Sequence, residues 1–264
     1  MAQESIEFVF LFKGPNITPQ NIVKYFGCIH ETLYKSKFHE IAYTIPFKNT
    51  FKSRSLKFTD KNIEKLINEN PSDRFDLFSL LPDWEYKSKD INFLVGYNSN
   101  FKNKGDGFIT ITINKDIFYR AFDNNKLIAL FLEITKYLKE NEAEIKYGFI
   151  FLMANQKFPA FFITGIGNYN LSKDEQKELR IWADRNSETD SKIWRIFWGN
   201  LITSHHLDPS GGTVDRIKKI VGESNFYIID NDTYFFNLPD DNLLYGCENK
   251  NSEEALLKLL NCLT

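Results

Sequence analysis

The chain has 264 residues, of which 42% are hydrophobic and 26% are charged, a composition typical of a globular protein that can bury a full core. Its formal net charge of −2 and its pI near 6.1 disfavour nucleic-acid binding, because no overall basic surface is available to neutralise phosphates. The cysteines Cys28, Cys247 and Cys262 are widely spaced, so the sequence indicates neither a disulfide framework nor a zinc site and favours a reducing cytoplasm.

The N-terminal residues bear on targeting. Glu4 and Glu7 stand where a secretory signal carries Lys or Arg, and the apolar run around them ends at Lys13. No apolar run approaches the ~18 residues that cross a bilayer, since the longest is 149–154. The sequence therefore predicts a cytoplasmic protein without a signal peptide and without a membrane partner.

The first half of the chain combines short apolar runs with one clear helical pattern. Lys13-Gly14-Pro15 ends the first run, and Thr18 followed by Pro19 is typical of a helix start. The predicted elements are a strand at 5–12, a helix from residue 19, a strand at 40–47 followed by a polar loop, a helix from 59 or 60 to 67, and a long surface loop at 72–90.

The second half begins with a clear alternation. Ile109, Ile111 and Ile113 alternate with Thr110 and Thr112, which predicts an antiparallel strand covered on its isoleucine face only. The other predicted elements are strands at 91–97, 146–153 and 158–164, helices at 127–138, 172–183, 214–221 and 255–263, and a hairpin that joins 225–229 to 233–237.

The order of these elements predicts the fold class. Strands come in neighbouring pairs separated by helices, which favours an α+β fold with a mainly antiparallel sheet and helices packed on it. We expect a single domain over residues 1–264, with two similar halves at 1–123 and 124–264 as the alternative.

Residues 193–212, IWRIFWGNLITSHHLDPSGG, concentrate aromatic residues, histidines and glycines in one stretch. Apolar residues at helical spacing predict a short aromatic helix or turn docked in the core; they are Trp194, Phe197, Trp198, Leu201 and Ile202. Thr213 is then predicted to cap the following helix. The residues expected to act as a structural anchor are Trp194, Trp198, Asn200, Gly211 and Gly212.

This stretch and the hairpin after it resemble the C-terminal signature of a family of bacterial immunity proteins. Those proteins are paired genetically with polymorphic or type VI secreted toxins, and the family was long described as a domain of unknown function. The signature is a Trp-x-Asn-Leu core, a His-Leu pair, a Gly-Gly turn and a hairpin that ends in Pro. The matching positions are Trp198, Asn200, Leu201, His206, Leu207, Gly211, Gly212 and Pro239. The resemblance covers the last third of the chain, and the rest matches only in the order of elements.

The resemblance implies a protein that binds and neutralises one cognate toxin, without catalysis and without a cofactor or metal. Acidic segments complement basic clefts, and buried aromatic residues concentrate binding energy at interfaces. We therefore expect toxin contacts in four segments chosen by composition. Their residues are Asp83, Trp84, Glu85 and Tyr86; Glu140, Glu142 and Glu144; Glu188 and Asp190; and Asp240 and Asp241.

A second hypothesis is a small bacterial hydrolase or transferase with a site built around His205 and His206, together with Arg195 and Asp208. Convergence of these four side chains on a pocket would favour the enzyme. Burial of the tryptophans with the two histidines dispersed would favour a structural scaffold. A third hypothesis is a structural subunit of a secretion-related or phage-related assembly.

Two glycine motifs suggest phosphate binding only weakly. Residues 165–167 form a GxG between a predicted strand and a predicted helix, but the third glycine of a dinucleotide fingerprint is missing. Gly211-Gly212 precedes a helix N-terminus, whose free N–H groups can hold an anion, yet no P-loop lysine follows it. Both motifs are interpreted as tight turns.

Overall fold

A computed structural model describes the chain over residues 5–13, 19–34, 40–47, 50–57, 59, 61–62, 65, 77–81, 93–101, 106–153, 193, 196–208 and 212–239. The helices are α1 (Pro19–Tyr34), α2 (Lys115–Tyr119), α3 (Asn124–Glu140) and α4 (Thr213–Val221). The strands are β1 (Ser5–Lys13), β2 (Glu40–Phe47), β3 (Thr50–Lys57), β4 (Leu77–Leu81), β5 (Phe93–Phe101), β6 (Asp106–Asn114), β7 (Glu144–Met153), β8 (Gly199–Thr203), β9 (Phe226–Ile228) and β10 (Thr233–Asn237). The predicted α+β class is confirmed.

The chain divides into two compact units. The first unit is Leu11–Glu144, and the second combines Glu4–Phe10 with Ile145–Thr264. In the first unit the strands follow the order β3-β2-β4-β5-β6, each antiparallel to its neighbour. In the second unit the order is β1-β7-β8-β10-β9, and the pairs from β7 to β9 are antiparallel. The mainly antiparallel sheet is confirmed, while the single domain stays a prediction.

Two strands of the first unit lie where the sequence predicts loops. β3 pairs with β2 along its whole length, and β4 lies inside the predicted loop at 72–90 and pairs with both β2 and β5. β3 carries Lys52, Arg54 and Lys57 among its eight residues. Charged side chains are common on strands at the end of a sheet because they discourage pairing with other chains, and they remove the apolar alternation on which the prediction depends.

β6 is buried on both faces, so the expectation that only its isoleucine face is covered is wrong. Ile109, Ile111 and Ile113 are fully buried, and Thr110 and Thr112 are only 1% and 2% exposed. Threonine is β-branched and fits a strand, and its hydroxyl can be satisfied inside a fold. A threonine face therefore does not by itself indicate solvent.

α3 has defined signals at both ends, and it extends the predicted helix at 127–138 by a turn. At its start, the Asp123 side chain accepts a hydrogen bond of 2.9 Å from the Lys126 N–H. At its end, the N–H groups of Glu142 and Ala143 donate to the carbonyls of Lys139 and Leu138, both at 3.0 Å. This is a Schellman motif, and it places Glu142 in the left-handed region with φ of 60°.

The strands of the second unit pack closely around two glycines. A Cβ at Gly148 would lie 3.1 Å from the Val9 carbonyl oxygen and 3.1 Å from Leu201 Cδ2. A Cβ at Gly199 would lie 3.0 Å from Ile150 Cδ1. Both glycines therefore fill positions where neighbouring strands leave no room for a side chain.

Candidate functional site

Residues 199–203, directly after the aromatic residues Phe197 and Trp198, form a strand where the sequence predicts a short aromatic helix or turn. All five residues of β8 are buried, and Leu201 lies opposite Gly148 on one side and Phe235 on the other. Apolar residues at helical spacing do not reveal pairing with distant strands, which here decides the conformation. The helical alternative of the prediction is therefore wrong for residues 199–203.

Asn200 is fully buried, and its amide bonds the chain just before the strand. Its Oδ1 accepts from the Phe197 N–H at 2.9 Å and from the Tyr147 hydroxyl at 3.3 Å. Its Nδ2 donates to the Phe197 carbonyl at 2.7 Å. Because the amide forms bonds with both backbone groups of one residue, it fixes the path of the backbone as the chain enters β8.

Trp198 is 2% exposed and lies beside Asn200 at the start of the strand. Its carbonyl accepts a 2.8 Å hydrogen bond from the Leu238 N–H, which ties β8 to the end of the β10 strand. The indole Nε1 is buried and has no hydrogen-bond partner among the described residues. The tryptophan thus contributes mainly apolar packing.

The two adjacent histidines lie in opposite environments. His206 is 2% exposed, and its Nδ1 accepts from the Thr203 N–H at 3.1 Å. The His206 ring also lies 5.9 Å from the Tyr147 ring. His205 is exposed. The fold therefore turns one imidazole into the core and the other into solvent, and the pair does not form a joint site.

The turn before α4 differs from the predicted cap. Gly212, in the left-handed region with φ of 82°, is the N-cap residue, and Thr213 is already helical and buried. The Thr213 hydroxyl accepts from the Asp208 N–H at 3.3 Å, so it ties the preceding loop to the helix. The predicted capping role of Thr213 is wrong because its hydroxyl points back to the loop. Asp208 itself is exposed.

The acidic turn after α3, defined as Glu140, Glu142 and Glu144, is the candidate toxin-contacting segment within the described residues. All three glutamates are exposed. Glu140 lies 3.7 Å from Lys136, a pair on the solvent side of the helix. The Schellman motif and the start of β7 hold the backbone of this turn on both sides, so three carboxylates project from a well-defined loop.

The other predicted site residues lie outside the described residues. They are Asp83, Trp84, Glu85, Tyr86, Glu188, Asp190, Trp194, Arg195, Gly211, Asp240 and Asp241. The GxG at 165–167, the strand predicted at 158–164, and the helices predicted at 172–183 and 255–263 also lie outside them.

A tyrosine pair near the acidic turn was missed by the sequence reasoning. Tyr25 on α1 and Tyr137 on α3 stack with ring centroids 3.6 Å apart and planes 4° apart. The Tyr25 hydroxyl donates to the Glu133 carbonyl at 3.2 Å. Both tyrosines are half-buried. In the sequence, the only signal for this pair is that Tyr137 lies one helical turn before Glu140. That position does not identify α1 as the helix that packs against it.

The described part of the chain has no feature typical of a metal site or of a membrane span. No group of three or more His, Cys, Asp or Glu side chains there could hold a metal ion. Within the same ranges, no helix combines the length and the apolar character needed to cross a membrane.

Comparison with known proteins identifies a related fold. No protein-family model and no curated protein matches the chain. A solved structure, the Pseudomonas aeruginosa T6SS protein PA0821, is similar with a TM-score of 0.58 and 12% sequence identity. The similarity covers 98% of this chain and 72% of that one. At this identity, the two proteins are shown to share a fold.

Proposed function

We propose that the chain is an immunity protein that acts in the cytoplasm, where it binds and neutralises a cognate secreted toxin without catalysis. The observation that carries the proposal is the fold similarity to a T6SS protein over 98% of the chain. The residue signature in the last third of the chain independently resembles immunity proteins paired with type VI secreted toxins. A residue pattern and a whole fold thus point to the same secretion system.

The roles of the signature residues support a binding protein over a hydrolase or transferase. Asn200 and His206 are buried and bond backbone groups of Phe197 and Thr203, and their other hydrogen bonds are to buried hydroxyls. Trp198 packs in the core. Side chains committed to backbone groups stabilise a scaffold, which leaves recognition to exposed loops.

The acidic turn supplies a surface suited to such recognition. Exposed carboxylates at Glu140, Glu142 and Glu144 attract a basic partner over a distance of about one Debye length, ~8 Å at physiological salt. Such attraction raises the association rate more than it raises affinity. An inhibitor must capture its toxin quickly, so this property fits the proposed role.

The first experiment co-expresses the tagged protein with the product of the neighbouring gene and scores both complex formation and growth. We expect a stoichiometric complex, toxicity when this protein is omitted, and rescue when it is restored. The variant His205→Ala is the matched control, because an exposed histidine with no role in binding should leave rescue intact. A neighbour that is harmless and does not bind would refute the assignment to that pair.

A second experiment tests electrostatic capture across the four acidic segments. Charge reversal in the segment that contacts the toxin should slow association without lowering the melting temperature. Unchanged association after reversal in all four segments would remove electrostatic capture from the mechanism while leaving the immunity role open to the first experiment.

A further inference from the structure

Two glutamates flank the tyrosine pair on α3. Glu133 precedes Tyr137 by four residues and Glu140 follows it by three, so all three side chains lie on one face of α3. Both glutamates are exposed. Burial is the largest cause of a raised pKa of the Tyr25 hydroxyl, and the charges of Glu133 and Glu140 raise it further. The Tyr25 hydroxyl donates to the Glu133 carbonyl at 3.2 Å, which places it against this face of α3.

The ion pair between Lys136 and Glu140 offers a basic partner little competition. Lys136 is paired with Glu140 at 3.7 Å, with side chains 75% and 64% exposed. An exposed pair of this kind contributes little to stability and is screened by salt. A partner's Arg or Lys can replace Lys136 at the Glu140 carboxylate at small cost.

The combination matches the composition of a protein-binding hot spot. Tyrosine is among the residues that dominate interface energies, because a rigid ring buries much area with few rotatable bonds. Stacking already holds Tyr25 and Tyr137 in one arrangement, so binding would restrict them little further. Carboxylates around the rings provide the polar rim of such an interface.

We propose that the tyrosine face, defined as Tyr25, Glu133, Tyr137 and Glu140, is the docking site for a basic segment of the cognate toxin. This inference rests on the proposed function and names the surface that performs it. Charge complementarity identifies the occupant, because an Arg or Lys side chain lays its apolar stem against aromatic rings while its charged group reaches the carboxylates. The acidic turn, which begins at Glu140, extends the same negative surface.

The direct test measures the affinity of the purified complex for charge-reversed variants. Glu133→Lys and Glu140→Lys should each weaken toxin binding at least tenfold at low salt and flatten its salt dependence. Glu223→Lys is the matched control, since it reverses an equally exposed glutamate in the other compact unit and should leave affinity within twofold. Equal affinity for all three variants would overturn the proposal while a formed complex upholds the immunity role.

Three further variants separate the contributions of charge and of the aromatic ring. Glu133→Gln and Glu140→Gln remove charge without adding a repulsive one, and each should weaken binding about threefold with an unchanged melting temperature. Tyr137→Leu keeps an apolar side chain but removes the ring, and it should weaken binding by a similar factor. Full affinity in Tyr137→Leu would eliminate the tyrosines from the docking site.

A probe that does not depend on the toxin decides the case in which no complex is found. Fluorescein-labelled nona-arginine should bind the wild-type protein at low salt, and Glu140→Lys should lose affinity at least threefold more than Glu223→Lys. Equal losses of nona-arginine affinity in the two variants would contradict the proposal that the tyrosine face is the preferred site for a basic segment. If Tyr137→Leu instead shifts the protein from dimer to monomer in size-exclusion chromatography, the occupant is a second copy of this chain, and the proposal is wrong.

Discussion

Individual polar side chains in the second unit stabilise the fold by bonding backbone groups. Asn200 bonds both the N–H and the carbonyl of Phe197, and His206 accepts from the Thr203 N–H. A buried N–H without an acceptor costs about 1–3 kcal/mol. Removing one of these acceptors therefore destabilises the fold by more than the net free energy that the hydrogen bond contributes. Two of the signature residues, Asn200 and His206, are thereby explained by local backbone requirements.

His206→Ala should lower the free energy of unfolding by about 2–4 kcal/mol, because it leaves the Thr203 N–H without its acceptor and opens a cavity in the core. His206→Asn keeps an acceptor, Oδ1, at the position of the imidazole Nδ1 and should cost less. His205→Ala should stay within about 0.5 kcal/mol, as is usual for an exposed position. Urea denaturation measures all three, and equal losses at His205 and His206 would contradict the assigned roles.

At the scale of elements, α3 shows how local signals and their exceptions coexist. Asp123 caps its start with a favoured residue type, whereas Glu142 occupies a position at its end where glycine is preferred. Among the described residues, Glu142 is the only non-glycine residue with a positive φ. The end of the helix is therefore well defined, but glycine at position 142 would make it more stable.

Glu142→Gly should raise the free energy of unfolding by about 1 kcal/mol, because glycine adopts the left-handed region without steric cost. Ala129→Gly is the control in the same helix: Ala129 is exposed, and glycine there should lower stability by about 1 kcal/mol. Thermal or urea unfolding distinguishes the opposite signs. A loss of stability in Glu142→Gly would show that the glutamate side chain stabilises the turn.

The contact between α1 and α3 predicts a response to alkaline pH. Burial raises the pKa of Tyr137 from 10.0 to about 12. The unfolded chain loses this proton first, so the stability contributed by the protonated tyrosine is full below pH 10 and is lost as the pH rises through about 12. Urea midpoints across this range should fall less steeply for Tyr137→Phe than for the wild type. Identical slopes would show that Tyr137 ionises equally easily in both states.

At the scale of the whole molecule, close packing between strands restricts which substitutions are tolerated. Gly148 faces the Val9 carbonyl oxygen on one neighbouring strand and Leu201 on the other. A backbone carbonyl cannot rotate away as a long side chain can. Packing at such a position therefore transmits a local change to two neighbouring strands.

Gly148→Ala should lower the free energy of unfolding by about 1–3 kcal/mol through overpacking. The loss should appear in the urea midpoint, and hydrogen exchange should show weaker protection along the β7 and β8 strands. Gly212→Ala tests a different cause, since its Cβ would meet nothing within 4 Å and only its φ of 82° opposes alanine. Wild-type stability in Gly148→Ala would mean that the strands separate easily at this point.

Much of the architecture could be predicted from local sequence patterns, whereas less of the candidate sites could be predicted in this way. The α1 helix was predicted from the Thr18-Pro19 start, α3 from its apolar period, and the hairpin that ends at Asn237 from two strand patterns joined by a short turn, because these signals act within a few positions. The exposure of the acidic turn agrees with the choice of Glu140, Glu142 and Glu144 as surface residues. The strand β3 was not predicted, because its charged side chains interrupt the apolar alternation typical of a strand.

The sequence by itself determined the α+β class, the principal helix and the order of most strands, because these depend on hydrophobic period and on residues near each terminus. Only the tertiary structure decided that residues 199–203 form a strand, that Thr110 and Thr112 are buried, and that His206 and His205 face opposite environments. It also brought Tyr25 to Glu133, which are 108 residues apart in the chain. Pairing and burial are set by partners distant in sequence, and no local pattern contains them.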